Sequence, residues 1–258
     1  MKSADTPSDW SQLLRGTHFA EQLQRRLDDW APSLFGFNLL KVDALSASLS
    51  LTDSRLLHSV YLSQVATPKQ DAAADVLGDA CALPFSPGSL DACLLAHVLD
   101  FSEHPHAILR EVEVGLHYDG WLIVSGFNPY SSAGLASLMF NLSLNPEPAG
   151  HGKLPRWKNM IAPGRVEDWL KLLGFEVINR DYIGLTRLFD FASEGAWRRR
   201  CYPRYCPSLS AAYIIMARKR RYPLTPIRQY QPTKPVLQPG MARQQQQLKS
   251  GAKLNPHD

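Results

Sequence analysis

The run Leu90-Asp-Ala-Cys-Leu-Leu-Ala96 is apolar almost without interruption, and it constrains this chain more than any other feature. A strand with one wet face alternates apolar and polar residues. A short run without alternation has both faces covered, as in a parallel sheet held between two layers of helices. Trp121-Leu-Ile-Val-Ser125 and Ala211-Ala-Tyr-Ile-Ile-Met-Ala217 read the same way. Weaker strand signals lie at Phe37-Asn-Leu-Leu-Lys-Val42, from Ser59 to Ala66, at Asp75-Val-Leu-Gly-Asp79 and at Phe175-Glu-Val-Ile178. Between them the period changes to that of helices. Leu13, Leu14, Phe19, Leu23, Leu27 and Trp30 make one amphipathic helix from Trp10 to Trp30; Pro105 opens a second through Leu116, and Pro163 a third that Gly174 closes. Strands alternating with helices predict βαβ units and a mostly parallel sheet, which binds ligands beyond the carboxyl ends of its strands.

The 258 residues are enough for one such domain with extensions. We divide the chain into a helical extension at 1–36, the α/β domain at 37–219 and a tail at 220–258, where the prolines at 223, 226, 232, 235 and 239 and the glutamines 244–247 oppose a packed core. From Arg218 onward nine Lys or Arg stand against one acid, Asp258, so the net charge of +4 combines a basic tail with a mildly acidic domain. That distribution argues against a domain surface that grips nucleic acid, and leaves contact with RNA or an acidic protein to the tail. No segment reaches about 18 apolar residues and the first 27 lack a signal-like apolar run, which predicts a protein without a membrane span. Four scattered cysteines fit a reducing cytoplasm better than a disulfide framework.

The stretch Gly78-Asp-Ala-Cys-Ala-Leu-Pro-Phe-Ser-Pro-Gly-Ser-Leu-Asp91, with Leu94-Leu-Ala-His-Val-Leu99, Pro105, Leu109-Arg-Glu111 and Asp119-Gly120, closely resembles the central part of type 11 methyltransferase domains. The Gly126-Phe-Asn-Pro129 loop is shared more narrowly with an uncharacterised bacterial group of that family. The likeness covers roughly residues 37 to 219. It implies the Rossmann-like class I methyltransferase fold: a mostly parallel seven-stranded sheet with an antiparallel last strand and helices on both faces. It also implies S-adenosylmethionine as the cofactor and methyl transfer to a substrate, a small molecule by our reading, that the sequence does not identify. On this likeness Asp79 and Ala80 read the adenine edge, the carboxylate accepting from the exocyclic amine and the next backbone amide donating to the ring. Without it, Asp79 would read as the cap of a turn before Pro84. His97, just after the fourth strand, is placed near the methionine part of the cofactor and the substrate, as a base or as wall. Asp91 starts its strand at the far end and reads as structural.

Two places depart from the family. The first strand normally runs into an acid and a glycine-rich turn, whereas this chain has Lys41 in place of the acid, Asp43 where the first glycine belongs, and Ala44 after it. Asp tolerates left-handed geometry, so the turn survives with altered contacts. At the end of the second strand Gln64 stands in for the acid that holds the ribose hydroxyls. The glycine-free turn keeps open a second reading, a noncatalytic binding protein on a methyltransferase fold. It weighs more heavily against a dinucleotide oxidoreductase, whose phosphates need those glycines.

Asn128-Pro-Tyr130 is similar to a signature that holds planar amino groups, but it follows the fifth strand, so we read it as a turn beside the site and keep Tyr130 with His97 as a candidate base. His97, His104 and His106 lack the spacing of a metal site, and the pair Cys201 and Cys206 stands without a second pair, so no metal is predicted. The apolar segment from Gly134 to Leu144 reads as core, lid or substrate wall.

Overall fold

The computed structural model describes residues 6–13, 16–64, 74–131, 159–185 and 210–220. Among them are seven strands: β1 (Phe35–Val42), β2 (Arg55–Ser63), β3 (Val76–Leu77), β4 (Leu90–Ala96), β5 (Leu116–Phe127), β6 (Phe175–Leu185) and β7 (Ser210–Lys219). Five α-helices are described: α1 (Gly16–Trp30), α2 (Asp43–Ala47), α3 (Val98–Phe101), α4 (Pro105–Gly115) and α5 (Pro163–Leu172). The strands form one sheet in the order β3-β2-β1-β4-β5-β7-β6. β1 to β5 pair in parallel, and β7 runs antiparallel to both β5 and β6. The order reverses between β1 and β4, which makes the carboxyl edge at these strands the place for a ligand.

The apolar runs owe their continuity to two cores, one on each face. Ala92 and Leu94 of β4 enter one with Trp121 and Ile123 of β5, Ile214 and Met216 of β7, and Phe19, Leu23 and Leu27 of α1. The intervening Cys93 and Leu95, Leu122 and Val124, and Tyr213 and Ile215 enter the other, beneath Ile108 and Val112 of α4 and Val166 and Leu170 of α5. Each such valine, leucine, isoleucine, phenylalanine or methionine, fully buried, favours the fold by about 1.5–3 kcal/mol over its exposed state. The opening segment therefore covers one face of the sheet and shares its core.

Boundaries differ from the sequence reading where polarity hides a strand. β2 begins at Arg55, because Phe35 pairs with Arg55 although only the last three β2 residues are buried. β6 runs to Leu185 as an edge strand, where polar side chains can face water. The turn at Tyr118-Asp-Gly120 lies inside β5: Leu90 pairs with Leu116 but Ala92 with Trp121, and the extra residues bulge at Asp119, φ 65°. The first helical pattern splits into a 3-10 turn at Trp10–Gln12 and α1. The segment from Gly134 to Leu144, Cys201, Cys206 and the basic tail lie outside the described residues.

Candidate active site

Asp43, Ala44, Gln64, Asp79, Ala80, His97 and Tyr130 all follow the carboxyl ends of parallel strands β1 to β5, on one edge of the sheet. They fall into two groups around the point where the strand order reverses.

The first group is acidic. Asp43 leaves β1 with φ 63°, taking the left-handed conformation that glycine would otherwise supply, and opens α2. Its partly buried carboxyl is pushed up to about 6, first by burial and then by the charge of Asp79. Asp79 is exposed and accepts from Gln64 Nε2 at 3.3 Å and from the Cys81 backbone N–H at 2.9 Å. So Asp79 does cap the turn, and its carboxylate also meets Gln64 and faces Asp43. Among the described residues no salt bridge reaches either carboxylate. Ala80 is fully buried, which anchors the backbone beside Asp79. Lys41 turns from this corner and gives its ammonium to the Leu49 carbonyl at 2.7 Å, and burial pulls its proton affinity down.

The second group surrounds His97, which is 2% exposed and follows β4 in left-handed geometry, φ 56°. Its N–H donates to Ser125 of β5, to the carbonyl at 3.1 Å and the hydroxyl at 3.2 Å. The ring leans on Phe127, 4.2 Å between centroids, and meets Trp10 edge-on at 5.6 Å. Nδ1 lies 3.0 Å from Asp100 Oδ2, which also accepts the Phe127 N–H at 2.8 Å. Asp100 is 0% exposed, and burial pushes its carboxyl up against the lowering effect of these bonds. Burial, aided by the Asp100 charge, pushes the Tyr213 phenol up as well.

Trp10 and Ser46 close the space between the groups. Trp10 Nε1 donates to the Leu45 carbonyl at 3.2 Å and to Ser48 Oγ at 2.7 Å, while Ser46 Oγ accepts the Ala96 N–H at 2.9 Å. Gly16 allows this approach: a Cβ there would lie 1.8 Å from the Trp10 carbonyl oxygen. Tyr130 is not drawn in. Its side chain is 69% exposed, and its N–H donates to Asn128 Oδ1 at 3.1 Å. Asn128 is buried and donates to the Ser210 carbonyl at 3.0 Å, so it ties the turn after β5 to the start of β7. His104 and His106 stand apart from His97, the latter stacked on Trp169 at 3.6 Å. Sequence reasoning missed Trp10, Ser46 and Asp100; only Asp100 carried a signal, an acid three residues after His97.

Among the described residues the corner offers two carboxylates without a salt-bridged cation and an amide side chain, groups able to accept from an amine and to bond hydroxyls. Comparison with known proteins bears on the family and the fold. The methyltransferase domain family matches residues 55–124. The chain is 35% identical over 219 residues to the uncharacterized protein YafS of Escherichia coli K12, across 85% of this chain and 83% of that one. Among solved structures, an S-adenosylmethionine-dependent methyltransferase from Archaeoglobus fulgidus shares the fold with a TM-score of 0.52, at 17% identity over 78% of this chain and 94% of that one. A possible histamine N-methyltransferase from Thermotoga maritima gives 0.51 at 15% identity, covering 78% and 91%. The [4+2]-cyclase SpnF also gives 0.51, at 16% identity over 78% and 81%, so this fold does not by itself fix the chemistry. The chain belongs to the class I S-adenosylmethionine-dependent methyltransferase family, in the type 11 domain group. Among the described residues no cluster of three or more His, Cys, Asp or Glu is placed to hold a metal, and no helix is long and apolar enough to cross a membrane.

Proposed function

We propose that this protein transfers a methyl group from S-adenosylmethionine to a small molecule. The observation that carries the reading is the pair Asp43 and Asp79, two carboxylates close enough to repel and, among the described residues, without a salt bridge to a cation. In this assignment Asp79 and the Ala80 amide hold adenine, Gln64 the ribose hydroxyls, and Asp43 and Ala44 line the turn that faces the cofactor. S-adenosylmethionine, when bound, supplies an electrophilic methyl on a sulfonium. His97 borders the reacting atoms, held off bulk water by Trp10 and Phe127. Tyr130 stands at the exposed rim as the second candidate base.

Calorimetric titration with S-adenosylmethionine tests the assignment. Heat from the native protein and an affinity at least tenfold weaker in Asp79→Ala are expected, for the loss of about 1.5–3 kcal/mol from a hydrogen bond to a charged group. Equal affinity in both would remove Asp79 from the site. A second reading, binding without turnover, is favoured by one observation: Leu45 is buried in the turn and Trp10 packs between α2 and His97, filling room that glycines would leave. Binding with no S-adenosylhomocysteine formed across a panel of acceptors supports this second reading.

A further inference from the structure

We propose that Asp100 is a positioning residue that fixes His97 as its Nδ1–H tautomer, so that Nε2 takes a proton from the substrate and the methyl acceptor is a proton-bearing hydroxyl or amine. The proposal rests on the preceding reading in one respect, that His97 borders the reacting atoms.

The tautomer follows from hydrogen-bond accounting. A backbone N–H can only donate, and the Phe127 N–H points at Asp100 Oδ2 from 2.8 Å. That oxygen must therefore be an acceptor. With Oδ2 unprotonated it offers only lone pairs, so the 3.0 Å contact with His97 Nδ1 is a donation from the ring. A proton on Oδ1, which has no hydrogen-bond partner among the described residues, leaves that donation in place, whereas a proton on Oδ2 would reverse it and put the ring proton on Nε2. With Nδ1 donating, the neutral ring has its lone pair on Nε2, and among the described residues no hydrogen bond engages that atom.

The ring is also fixed in place. The backbone N–H of His97 bonds to Ser125 and holds the main chain, while the tilted contact with Phe127 and the edge contact with Trp10 leave the ring little freedom. A left-handed backbone strains a non-glycine residue, and such sites sustain the strain when the surroundings over-determine it. An oriented neutral imidazole is a base rather than an acid. An acceptor that keeps its proton after methylation would carry positive charge into an apolar wall, and Nε2 relieves this. The acceptor's electron pair forms the bond to the methyl carbon, the carbon–sulfur pair returns to sulfur, and the acceptor's proton moves to Nε2. The imidazolium so formed keeps its Nδ1–H on Asp100.

Two-bond proton–nitrogen spectra of histidine-labelled full-length protein at about pH 8, where free imidazole is neutral, read the tautomer directly. His97 is expected as a single Nδ1–H form in the native protein and in Asp100→Asn, whose amide oxygen still accepts both bonds. Asp100→Leu is expected to shift it to Nε2–H with the amide spectrum otherwise retained. A native spectrum showing Nε2–H or an averaged ring overturns the proposal, whatever the variants do. With methyl-labelled S-adenosylmethionine and an acceptor found by screening, Asp100→Asn is expected to lower kcat about 10–100-fold with KM for the cofactor unchanged. Methyl transfer only to acceptors without a proton, such as thioethers or pyridine-type nitrogens, overturns the substrate class. Failure to bind S-adenosylmethionine removes the methyltransferase reading and with it the acceptor, while the tautomer remains decided by the spectrum alone.

Discussion

Asp43→Asn separates the backbone role of this residue from its charge. Asn also accepts left-handed geometry, so the exit from β1 at φ 63° is kept. What changes is a carboxyl that holds its proton up to about 6 in the fold, against an ordinary value of 3.8. Because the folded value is the higher one, the native state binds the proton more tightly. The stability this confers is fully present below about pH 4 and is lost as pH rises through about 6. At 1.36 kcal/mol per unit, the ionised carboxylate costs the fold about 3 kcal/mol at pH 7.5. Urea unfolding of both proteins at pH 4 and 7.5 isolates the effect of Asp43 and its coupling to Asp79, since titrating groups not coupled to Asp43 cancel in the difference. Asn should be nearly neutral at the lower pH and stabilising by about 2–3 kcal/mol at the higher. The same substitution should weaken S-adenosylmethionine about tenfold, and the native protein should release a fraction of a proton on binding near pH 6, visible as a buffer-dependent heat. A stability difference that is the same at both pH values would refute the placement of Asp43 beside Asp79 in a desolvated corner.

Gly126→Ala adds a Cβ 2.5 Å from the buried Tyr213 hydroxyl and should cost about 1–3 kcal/mol in urea unfolding. Tyr213→Phe in the same chain should return part of that loss, and strictly additive effects would rule out the close contact. Trp10→Ala removes two hydrogen bonds and a buried indole, so about 3–5 kcal/mol of stability should go. If Trp10 fills cofactor space, the same variant gains affinity for S-adenosylmethionine by calorimetry, and an unchanged affinity places Trp10 outside the site.

How far the sequence could be read depended on the range of the forces involved. β4 was legible to the residue, because both its faces are buried and Leu90 to Ala96 are apolar except at Asp91. The left-handed exit at Asp43 was legible as a tolerance of that residue type. Trp10 was not, since its partners Leu45 and Ser48 lie 35 and 38 residues away and an aromatic in an amphipathic pattern reads as core. Asp100 was hidden for the opposite reason: beside His97, an acid three residues on looks like the wet face of a short helix, and only the fold shows it 0% exposed. The meeting of Gln64 with Asp79 depends on how β2 and β3 are staggered, with Leu62 beside Val76 and Ser63 beside Leu77, which no local pattern encodes.

The charge of the edge also decides what kind of ligand it suits. An Asn at position 43 would satisfy the same backbone without an ionisation penalty, so the carboxylate there is informative about charge and not about shape. Placed beside Asp79, it raises negative potential in a partly desolvated corner where interactions are several-fold stronger than in water. A dinucleotide brings phosphates to the turn after the first strand and would add to that repulsion, whereas a sulfonium and an ammonium relieve it. The glycine-free turn and the acid pair thus act in the same direction. Both disfavour phosphates at this edge, and only the first also narrows the approach to the methyl group, which is why binding and turnover have to be measured separately.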